Sequence, residues 1–411
     1  MSQIAVEQTG RLKYHLALRM SRMGASAVRE ILKVTERPEI DSFAGGLPAP
    51  EAFPVEALSR AVAEVFESEA GAALQYSTTE GYRPLREWIA ARMRVRGVHA
   101  SSDRVLITSG SQQGIDLVAR ILLDPGDAVV VENPCYLAAL QTFSGAQARL
   151  VPVGSDEEGM RVDQVERAVK REAPKLIYVV SDFHNPKGTS LSMARREQLL
   201  AIARRYHVPI LEDDPYGELR YRGTPLPTLA SMDDDGLVIY LSTFSKTISP
   251  GVRIGWVVAP EELISSLVVA KQSIDLHTGT LMQHAVSRML ASFDYPSHLG
   301  RLRSLYGARC EAMLQALETY FPPTARWTHP EGGLFVWAEL PRSVNGEELL
   351  REAIAERVAF VPGGPFFAHR PKENFIRLNF SNRPPEVIHA GIERLGGVLK
   401  ARRAVKYEHH L

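Results

Sequence analysis

The stretch STFSKTISPGVRIGW, residues 242–256, begins where a short apolar run, VIYLS (238–242), ends. It brings Ser242, Ser245 and Arg253 close to Lys246 along the chain, with a Pro-Gly turn before the arginine. A lysine that loses part of its hydration has a lowered pKa and attacks aldehydes, and hydroxyls with a guanidinium suit a phosphate dianion. A solvated lysine, the alternative, would need no such neighbours. We therefore predict that Lys246 is a nucleophile beside an anion site.

Upstream of this stretch, from about residue 57, helical patterns alternate with short apolar runs. This alternation is typical of a parallel sheet covered by helices, an α/β fold. Each run ends in a polar or glycine-rich segment, and ligands of open α/β sheets bind outside the carboxyl ends of the strands. We therefore expect one shared site at these ends. The predicted strands are VLIT (105–108), AVVVE (128–132), LIYVV (176–180), VPILE (208–212) and VIYLS (238–242).

The remaining segments predict a smaller domain and an N-terminal arm. ASAVREILKVTER (25–37) has apolar residues at helical spacing, and the glycines and prolines of SFAGGLPAPEAFP (42–54) predict a loop. After residue 290, GGLFVWAEL, VAFVPGGPFF and NFIRLNF resemble strands of a smaller α+β domain. We expect an arm with part of the small domain at 1–50, a large domain at 51–295 and a small domain at 296–411, with the hinge near 275–315.

Composition is ordinary for a folded, soluble globular protein, and it disfavours a nucleic-acid or membrane partner without excluding a local basic patch. The chain has 411 residues, of which 45% are hydrophobic, and its 48 basic residues equal its 48 acidic residues. No run approaches the roughly 20 apolar residues that a membrane helix needs. Cys135 and Cys310 are far apart and form no metal-ligand spacing, so we expect no metal and a reducing cytoplasm.

Two further strand ends carry groups suited to binding. SGSQQG, Ser109 to Gly114, follows a strand and opens a helical run, so its amides could bind phosphate; a serine-rich helix cap is the alternative. PILEDDPYGEL places three acids at another strand end, and we assign Asp213 to a protonated ring nitrogen of a cofactor. The alternative is a solvated acidic turn. Tyr216 could donate to a phenolic oxygen of the same ring, or be a half-buried loop tyrosine.

Three more residues have plausible roles in such a site. Asn185, in HNPKG, could reach the same phenolic oxygen, although Asn-Pro is common in turns. Tyr136, in NPCY, could stack on a ring or belong to the core. Arg377, in the strand-like NFIRLNF, would be buried and must find an anion, either a substrate carboxylate or a structural acid.

Together these segments resemble the fold-type I pyridoxal 5′-phosphate (PLP) enzymes of the class I/II aminotransferase family. The resemblance covers nearly the whole chain. Within the family, the chain most resembles the group of 2-aminoadipate (kynurenine-type) aminotransferases. This resemblance implies the PLP-dependent transferase fold, with a mostly parallel, helix-covered sheet. The segments that carry it, in order, are SFAGGLPAPEAFP, LQYSTTEGYRPLREW, TSGSQQGIDL, EDDPYGEL, STFSKTISPGVRIGW, GGLFVW and VAFVPGGPFF.

The resemblance implies roles around the cofactor ring. Lys246 would carry PLP as a Schiff base and, once freed, move a proton between the substrate α-carbon and the cofactor aldehyde carbon. Asp213 would pair with the pyridine nitrogen, Asn185 and Tyr216 would hold the phenolic oxygen, and Tyr136 would stack on the ring.

The resemblance also implies which residues bind the cofactor phosphate and the substrate. Tyr76 would reach the phosphate from the other subunit of a homodimer with shared active sites. Arg377 would bind the substrate carboxylate, while Gly46 and the arm around Arg22 would line the side-chain pocket; a solvated Arg22 is the alternative. The phosphate ligands within one chain would be Ser111, Gln112, Ser242, Ser245 and Arg253.

The implied reaction moves the α-amino group of an amino acid to a 2-oxo acid, with 2-oxoglutarate as acceptor, by a ping-pong route. A PLP lyase, cyclase or oxidase is the first alternative, because one scaffold supports all of them. A transcriptional regulator is a second. The sequence departs from the family at four positions. Lys187 stands where threonine is common, Ser181 and His184 where proline and glutamine are common, and Thr78 where proline is common. These departures leave the identity of the substrate open.

Overall fold

The computed structural model of the chain describes residues 15–17, 19–20, 37 and 39–408, with side chains up to residue 402. Arg22 and all of the predicted N-terminal helix except its last residue lie outside these ranges. The described strands, in chain order, are β1 (Asp41–Ser42), β2 (Val105–Thr108), β3 (Ala128–Asn133), β4 (Arg149–Asp156), β5 (Gly159–Met160), β6 (Leu176–Val179), β7 (Ile210–Asp213), β8 (Val238–Thr243), β9 (Gly255–Val258), β10 (Arg326–Trp327), β11 (Phe335–Glu339), β12 (Val358–Ala359), β13 (Val361–Pro362) and β14 (Phe375–Asn379).

The helices pack on the faces of the sheets and on one another. Several begin with a local signal in the sequence: Asp294 accepts a hydrogen bond from the amide of Ser297 at the start of the longest one, with proline in its first turn. The α-helices of the described residues are α1 (Val55–Ser68), α2 (Ala70–Ala73), α3 (Arg83–Val95), α4 (Ser111–Leu122), α5 (Leu137–Gly145), α6 (Val162–Glu172), α7 (Met193–Tyr206), α8 (Glu261–Gln272), α9 (Thr280–Ser292), α10 (Tyr295–Tyr320), α11 (Gly346–Ala355) and α12 (Pro385–Glu408).

The large sheet has eight strands in the order β2-β9-β8-β7-β6-β3-β4-β5. The strands from β8 to β4 run parallel, β9 is antiparallel between β2 and β8, and β5 is antiparallel to β4. Every residue of β2, β6, β7, β8 and β9 is buried, as expected for a sheet with helices on both faces. The predicted mostly parallel sheet is confirmed.

Each of the five predicted apolar runs forms a strand, whereas β4, β5 and β9 of the large sheet were not predicted. β9 follows the Lys246 stretch directly, and its sequence GWVV is apolar enough to have indicated a strand. The chain turns back between β8 and β9, where the amide of Phe244 bonds to the carbonyl of Ile254 at 3.1 Å. Lys246 therefore lies in a short connection at one end of the sheet.

The small sheet is antiparallel, with the order β10-β11-β14-β13. The start of the predicted loop at 42–54 is fixed in two ways: β1 pairs in parallel with β12 in a separate two-stranded sheet, and the amide of Asn379 on β14 bonds to the carbonyl of Phe43 at 2.8 Å. Ser381 Oγ donates to the carbonyl of Leu47 at 2.6 Å. The loop containing Gly46 is thus held against the small sheet.

One hydrophobic core runs continuously from a face of the large sheet to the small sheet, and includes Tyr240, Met313 and Trp337. Two further clusters pack on the large sheet alone. The predicted domain boundaries near residues 50 and 295 stay a prediction. No helix in the described part of the chain combines the length and apolar character that a bilayer crossing requires.

Candidate active site

A cavity of about 370 Å³ opens at the carboxyl ends of the parallel strands, with β11 and β14 of the small sheet on its other side. Its wall combines residues from strand ends that are far apart in sequence. The fold therefore brings most of the predicted site residues to one place. Those that line the cavity are Gly46, Ser111, Gln112, Tyr136, Asn185, Asp213, Tyr216, Ser245, Lys246, Arg253 and Arg377.

Lys246 presents its amine to the middle of the cavity. Its Nζ donates to the carbonyl of Gly46 at 2.7 Å and lies 6.0 Å from the centre of the Tyr216 ring. Burial, aided by the positive charges of Arg377 and Arg253, lowers the pKa of Lys246 to about 8. A neutral amine, the form that attacks an aldehyde, is thus accessible at mildly basic pH.

Gly46 lies in a tight part of the wall. A Cβ at this position would lie 3.0 Å from Cζ of Phe335 and 3.9 Å from Nζ of Lys246, so any larger residue would press on the Phe335 ring. The carbonyl of Gly46 accepts the bond from Lys246 Nζ.

Asp213 ends β7 with one oxygen satisfied and the other free. Tyr178 donates to Oδ2 at 2.8 Å, while the buried Oδ1 has no hydrogen-bond partner. Burial raises the pKa of Asp213 to about 7, although the bond from Tyr178 acts in the opposite direction. A buried oxygen without a donor, at the wall of a cavity, is suited to a donor that arrives with a ligand.

The two neighbouring acids do not line the cavity. Glu212 accepts hydrogen bonds from the amides of Leu229 and Ala230, and Asp214 forms an ion pair with Arg96 at 2.7 Å. Successive strand residues point to opposite sides, so with Asp213 facing the site Glu212 and Asp214 face away from it.

Arg377 lies on β14 as a buried cation. It donates to Asn185 Oδ1 at 2.8 Å and to the carbonyl of Ala44, and its carbon lies 4.4 Å from the centre of the Phe335 ring. Among the described residues it has no acidic partner, its Nε is unpaired, and burial lowers its pKa to about 10. The structural ion pair considered from sequence is therefore absent from this part of the chain, which leaves the guanidinium available for a carboxylate.

The N-terminus of α4 forms the anion end of the cavity. No side chain caps this helix, and Gly110 precedes it with a φ of 81°. A Cβ on Gly110 would lie 2.5 Å from Nη2 of Arg253, which itself donates to the carbonyl of Ser109 at 2.9 Å. Free amides at a helix start beside an arginine suit a phosphate group.

The hydroxyls near this end differ from expectation at one position. Ser242 does not line the cavity, and its Oγ donates to the carbonyl of Asp214 at 2.7 Å. Thr243, which sequence reasoning did not select, lines it instead and lies 2.9 Å from Ser245 through their hydroxyl oxygens. Strand alternation could have indicated one of the two but not which.

Tyr76 does not line the cavity in this chain. Tyr76 is 79% exposed and its ring meets His277 edge-on, 5.8 Å between centres. Arg22 lies outside the described residues.

The departures from the family pattern lie outside the cavity wall as well. Lys187 donates from Nζ to Ser155 Oγ and to the carbonyl of Asp156, and does not supply a cation to the site. Ser181 bonds to Glu212 at 2.6 Å, and His184 is buried 3.6 Å from Glu132. Thr78 is exposed. These substitutions therefore give no direct sign of a different reaction.

Sequence reasoning missed several residues of the site. Phe335 and Phe366 form an apolar wall, and Leu137 and Gln141 from α5 line the cavity as well. Tyr178 was missed as well, although the strand LIYVV contained it, because only the three-dimensional pairing of β6 with β7 brings its hydroxyl to Asp213.

Pyridoxal phosphate fits this arrangement at three of its groups, the aldehyde, the ring nitrogen and the phosphate. The amine of Lys246 suits the aldehyde, the unpaired Oδ1 of Asp213 suits the protonated ring nitrogen, and the start of α4 with Arg253 suits the phosphate. Fold and site together define a PLP enzyme of fold type I. When bound, the cofactor supplies an electron sink for the substrate α-carbon.

Comparison with known proteins narrows this class. The model of the family "Aminotransferase class I and II" matches residues 45–395, and the chain belongs to this family. It is 44% identical over 384 residues to aromatic-amino-acid aminotransferase 1 of Thermococcus litoralis, with 92% of each chain covered. It is 43% identical over 387 residues to 2-aminoadipate transaminase of Thermus thermophilus, covering 93% of this chain and 96% of that one.

A solved structure agrees with these relatives. LysN, the α-aminoadipate aminotransferase from Thermus thermophilus crystallised with N-(5′-phosphopyridoxyl)-L-leucine, superposes with a TM-score of 0.90 at 41% identity, over 95% of this chain and 98% of that one. The chain is therefore a PLP-dependent aminotransferase, and the predicted family, fold, cofactor and amino-transfer activity are confirmed.

Proposed function

We propose that the enzyme transfers the α-amino group of an amino acid to 2-oxoglutarate, in two half-reactions at the same cavity. The observation that carries this proposal is the position of Arg377: a buried guanidinium without an acidic partner among the described residues, in the same cavity as Lys246. An amino acid and a 2-oxo acid both carry a carboxylate next to the reacting carbon. Each can therefore bind in turn to the same arginine.

Specific roles follow for the groups around the cofactor ring. Lys246 Nζ moves the proton at the substrate α-carbon, because its lowered pKa allows it to act as base and then as acid. Asp213 carries the negative charge that balances a protonated ring nitrogen, and Tyr178 orients its carboxylate. Tyr216 and Asn185 hold the phenolic oxygen, and Tyr136 stacks on the ring.

The phosphate of the cofactor is assigned to the amides and side chains at the start of α4. Ser111, Gln112, Ser245 and Arg253 line that end of the cavity, and Thr243 joins them. The Ser242 hydroxyl already donates to a main-chain carbonyl, so it supports the loop rather than the phosphate.

The side-chain pocket is assigned to the apolar wall. Leu47, Phe335 and Phe366 favour large apolar or aromatic donors, and Gln141 offers a polar contact. We retain Arg22 as the partner of a distal carboxylate, such as the second one of 2-oxoglutarate.

A homodimer with shared sites is proposed from an exposed apolar surface. Leu74 is 66% and Leu276 43% exposed, beside Tyr76 and His277. Burial of such a surface in a second copy would remove apolar area from water and direct Tyr76 toward the partner's phosphate end. A cytoplasmic location stays a prediction.

A donor panel tests the proposed reaction. The visible absorbance of the cofactor-bound enzyme should fall with an accepted amino acid and return with 2-oxoglutarate, while glutamate appears in equal amount. Loss of absorbance with release of ammonia or carbon dioxide and no glutamate would contradict the proposal and favour a lyase.

A mixing experiment tests the shared site. Lys246→Ala and Tyr76→Ala homodimers should each be weak, whereas hybrids made by dissociation and mixing should regain activity in one of their two sites. A monomer in sedimentation, or no recovery in verified hybrids, would contradict the shared site.

A further inference from the structure

Asp214 lies between two residues with proposed roles but faces away from the cavity. It follows Asp213 directly and precedes Tyr216 by two positions. Its Oδ1 accepts from the amide of Gly217 at 2.8 Å and thereby closes the turn that contains Tyr216. The side chain therefore fixes the main-chain path on both sides of Tyr216.

Arg96, at the end of α3, neutralises this buried carboxylate. Its Nη2 lies 2.7 Å from Asp214 Oδ2, and its Nη1 donates to the hydroxyl of Tyr240 at 2.5 Å. The Tyr240 hydroxyl in turn donates to Asp214 Oδ2 at 2.9 Å. The carboxylate thus has donors on both oxygens, unlike Asp213, and needs no ligand.

The neighbouring main chain is shaped around this contact. A Cβ at Gly217 would lie 2.7 Å from Arg96 Nη2 and 2.7 Å from Asp214 Oδ2, so a larger residue would displace the ion pair. The carbonyl of Asp214 also accepts from Ser242 Oγ at 2.7 Å, which joins the turn to β8 just before Lys246. The turn is therefore fixed from two separate elements, the end of α3 and β8.

We propose that the Arg96–Asp214 ion pair is a positioning device for Tyr216: it holds the 214–217 turn so that the Tyr216 hydroxyl stays at the phenolic oxygen of the cofactor. This inference rests on the role proposed for Tyr216. Tyr216 is buried, and its ring meets Phe335 edge-on at 5.9 Å and lies 6.0 Å from Lys246 Nζ. The main-chain position from which this side chain extends is set by the turn.

The readout is the pH midpoint of the visible absorbance of the cofactor-bound enzyme. A hydroxyl that donates to the phenolic oxygen weakens the hold of that oxygen on a neighbouring proton, so losing it raises the midpoint. Asp214→Asn should raise the midpoint by about one pH unit and lower kcat about tenfold. Tyr240→Phe, which keeps both charges, should move the midpoint in the same direction by less.

A double-mutant cycle separates positioning from general structural damage. In a Tyr216→Phe background, Asp214→Asn should cause no further change in the midpoint. Arg92→Lys is the matched control: Arg92 lies on the same helix and pairs with Glu218, beyond the turn, so it should leave the midpoint unchanged. Thermal unfolding of each variant shows which ones are folded.

The outcomes separate a failure of the positioning inference from a failure of the role proposed for Tyr216. The positioning inference is wrong if Tyr216→Phe raises the midpoint but Asp214→Asn and Tyr240→Phe leave it unchanged. It is also wrong if the shifts caused by Asp214→Asn and Tyr240→Phe are as large in the Tyr216→Phe background as in the wild-type enzyme. If Tyr216→Phe itself has no effect, the proposed role of Tyr216 is wrong and this inference fails with it, while amino transfer by Lys246 is untouched.

Discussion

The two sheets contribute to the cavity in different ways. The large sheet supplies residues that follow the ends of its strands: Asp213 closes β7, Ser111 follows β2, and Lys246 follows β8. The small sheet supplies Arg377 from the middle of β14, where it pairs with Trp337 on one side and Val361 on the other.

This difference explains why the large-sheet part of the site can be predicted from local sequence motifs, whereas the small-sheet part cannot. Polar residues at the ends of parallel strands are normal, since backbone amides and loops there face a crevice. An arginine in the middle of a buried strand is costly unless an anion meets it. We therefore expect changes in the large-sheet residues to act on the cofactor and on kcat, and changes at Arg377 to act on substrate binding.

The largest effect is expected for Lys246→Ala. Loss of the amine removes both cofactor capture and proton transfer, so the steady-state rate should fall by about 10³-fold or more. PLP should still bind noncovalently through Asp213 and the start of α4, as measured by equilibrium dialysis. Exposed Lys170 gives the matched control, because Lys170→Ala should leave both quantities unchanged. A near-normal rate in Lys246→Ala would overturn the assignment.

Next in size is Arg377→Ala. Removing one member of a buried charge pair costs about 2–5 kcal/mol, and the loss should appear mainly in KM for both amino acid and 2-oxo acid. Cofactor affinity should change little, which is the test of the division between the sheets. Arg326→Ala, at an exposed position on β10 of the same sheet, serves as control. If Arg377→Ala changed only the affinity for the cofactor, the assignment of substrate binding to the small sheet would be wrong.

A smaller effect is expected for Tyr178→Phe. Without the Tyr178 hydroxyl, one oxygen of Asp213 loses its donor, at a cost of about 1–3 kcal/mol. The pKa of Asp213, already raised to about 7 by burial, should rise further because the bond from Tyr178 lowers it. Since the ionised carboxylate is the form that holds a protonated ring nitrogen, cofactor affinity near neutral pH should fall. Fluorescence titration over a range of pH measures this.

The control for Tyr178→Phe is the same substitution at Tyr206. The Tyr206 hydroxyl bonds to Glu166 on α6, and neither residue lines the cavity. Equal losses in the two variants would mean that the Tyr178 hydroxyl has no special connection with the cofactor.

The smallest expected effect is a shift in a pH midpoint. Capture of the cofactor aldehyde requires neutral Lys246, so the capture rate of the apoenzyme should rise with pH through about 8 and then level off. Arg377→Ala should move this midpoint upward, because the charge of Arg377 is one cause of the lowered pKa. Stopped-flow absorbance resolves it. A midpoint that stayed fixed would show that the charge of Arg377 does not contribute to the lowered pKa of Lys246.

Much of the fold could be predicted because its signals are local. The five apolar runs became strands, and the glycine-rich or polar segments after them became the cavity wall. The position of β9 was missed because an apolar run immediately after a functional loop was taken as part of that loop. The role of Tyr76 was implied only by resemblance and stays a prediction, since in one chain the residue is exposed.

The amino-acid sequence by itself determined the order of strands and loops and the chemical types at each strand end, because these depend on residues adjacent along the chain. Tertiary structure alone decided that Thr243 rather than Ser242 lines the cavity, that Tyr178 meets Asp213, and that Arg96 meets Asp214. Such choices depend on strand pairing and on which side of a pleat each residue faces, and a shift of one residue would reverse them.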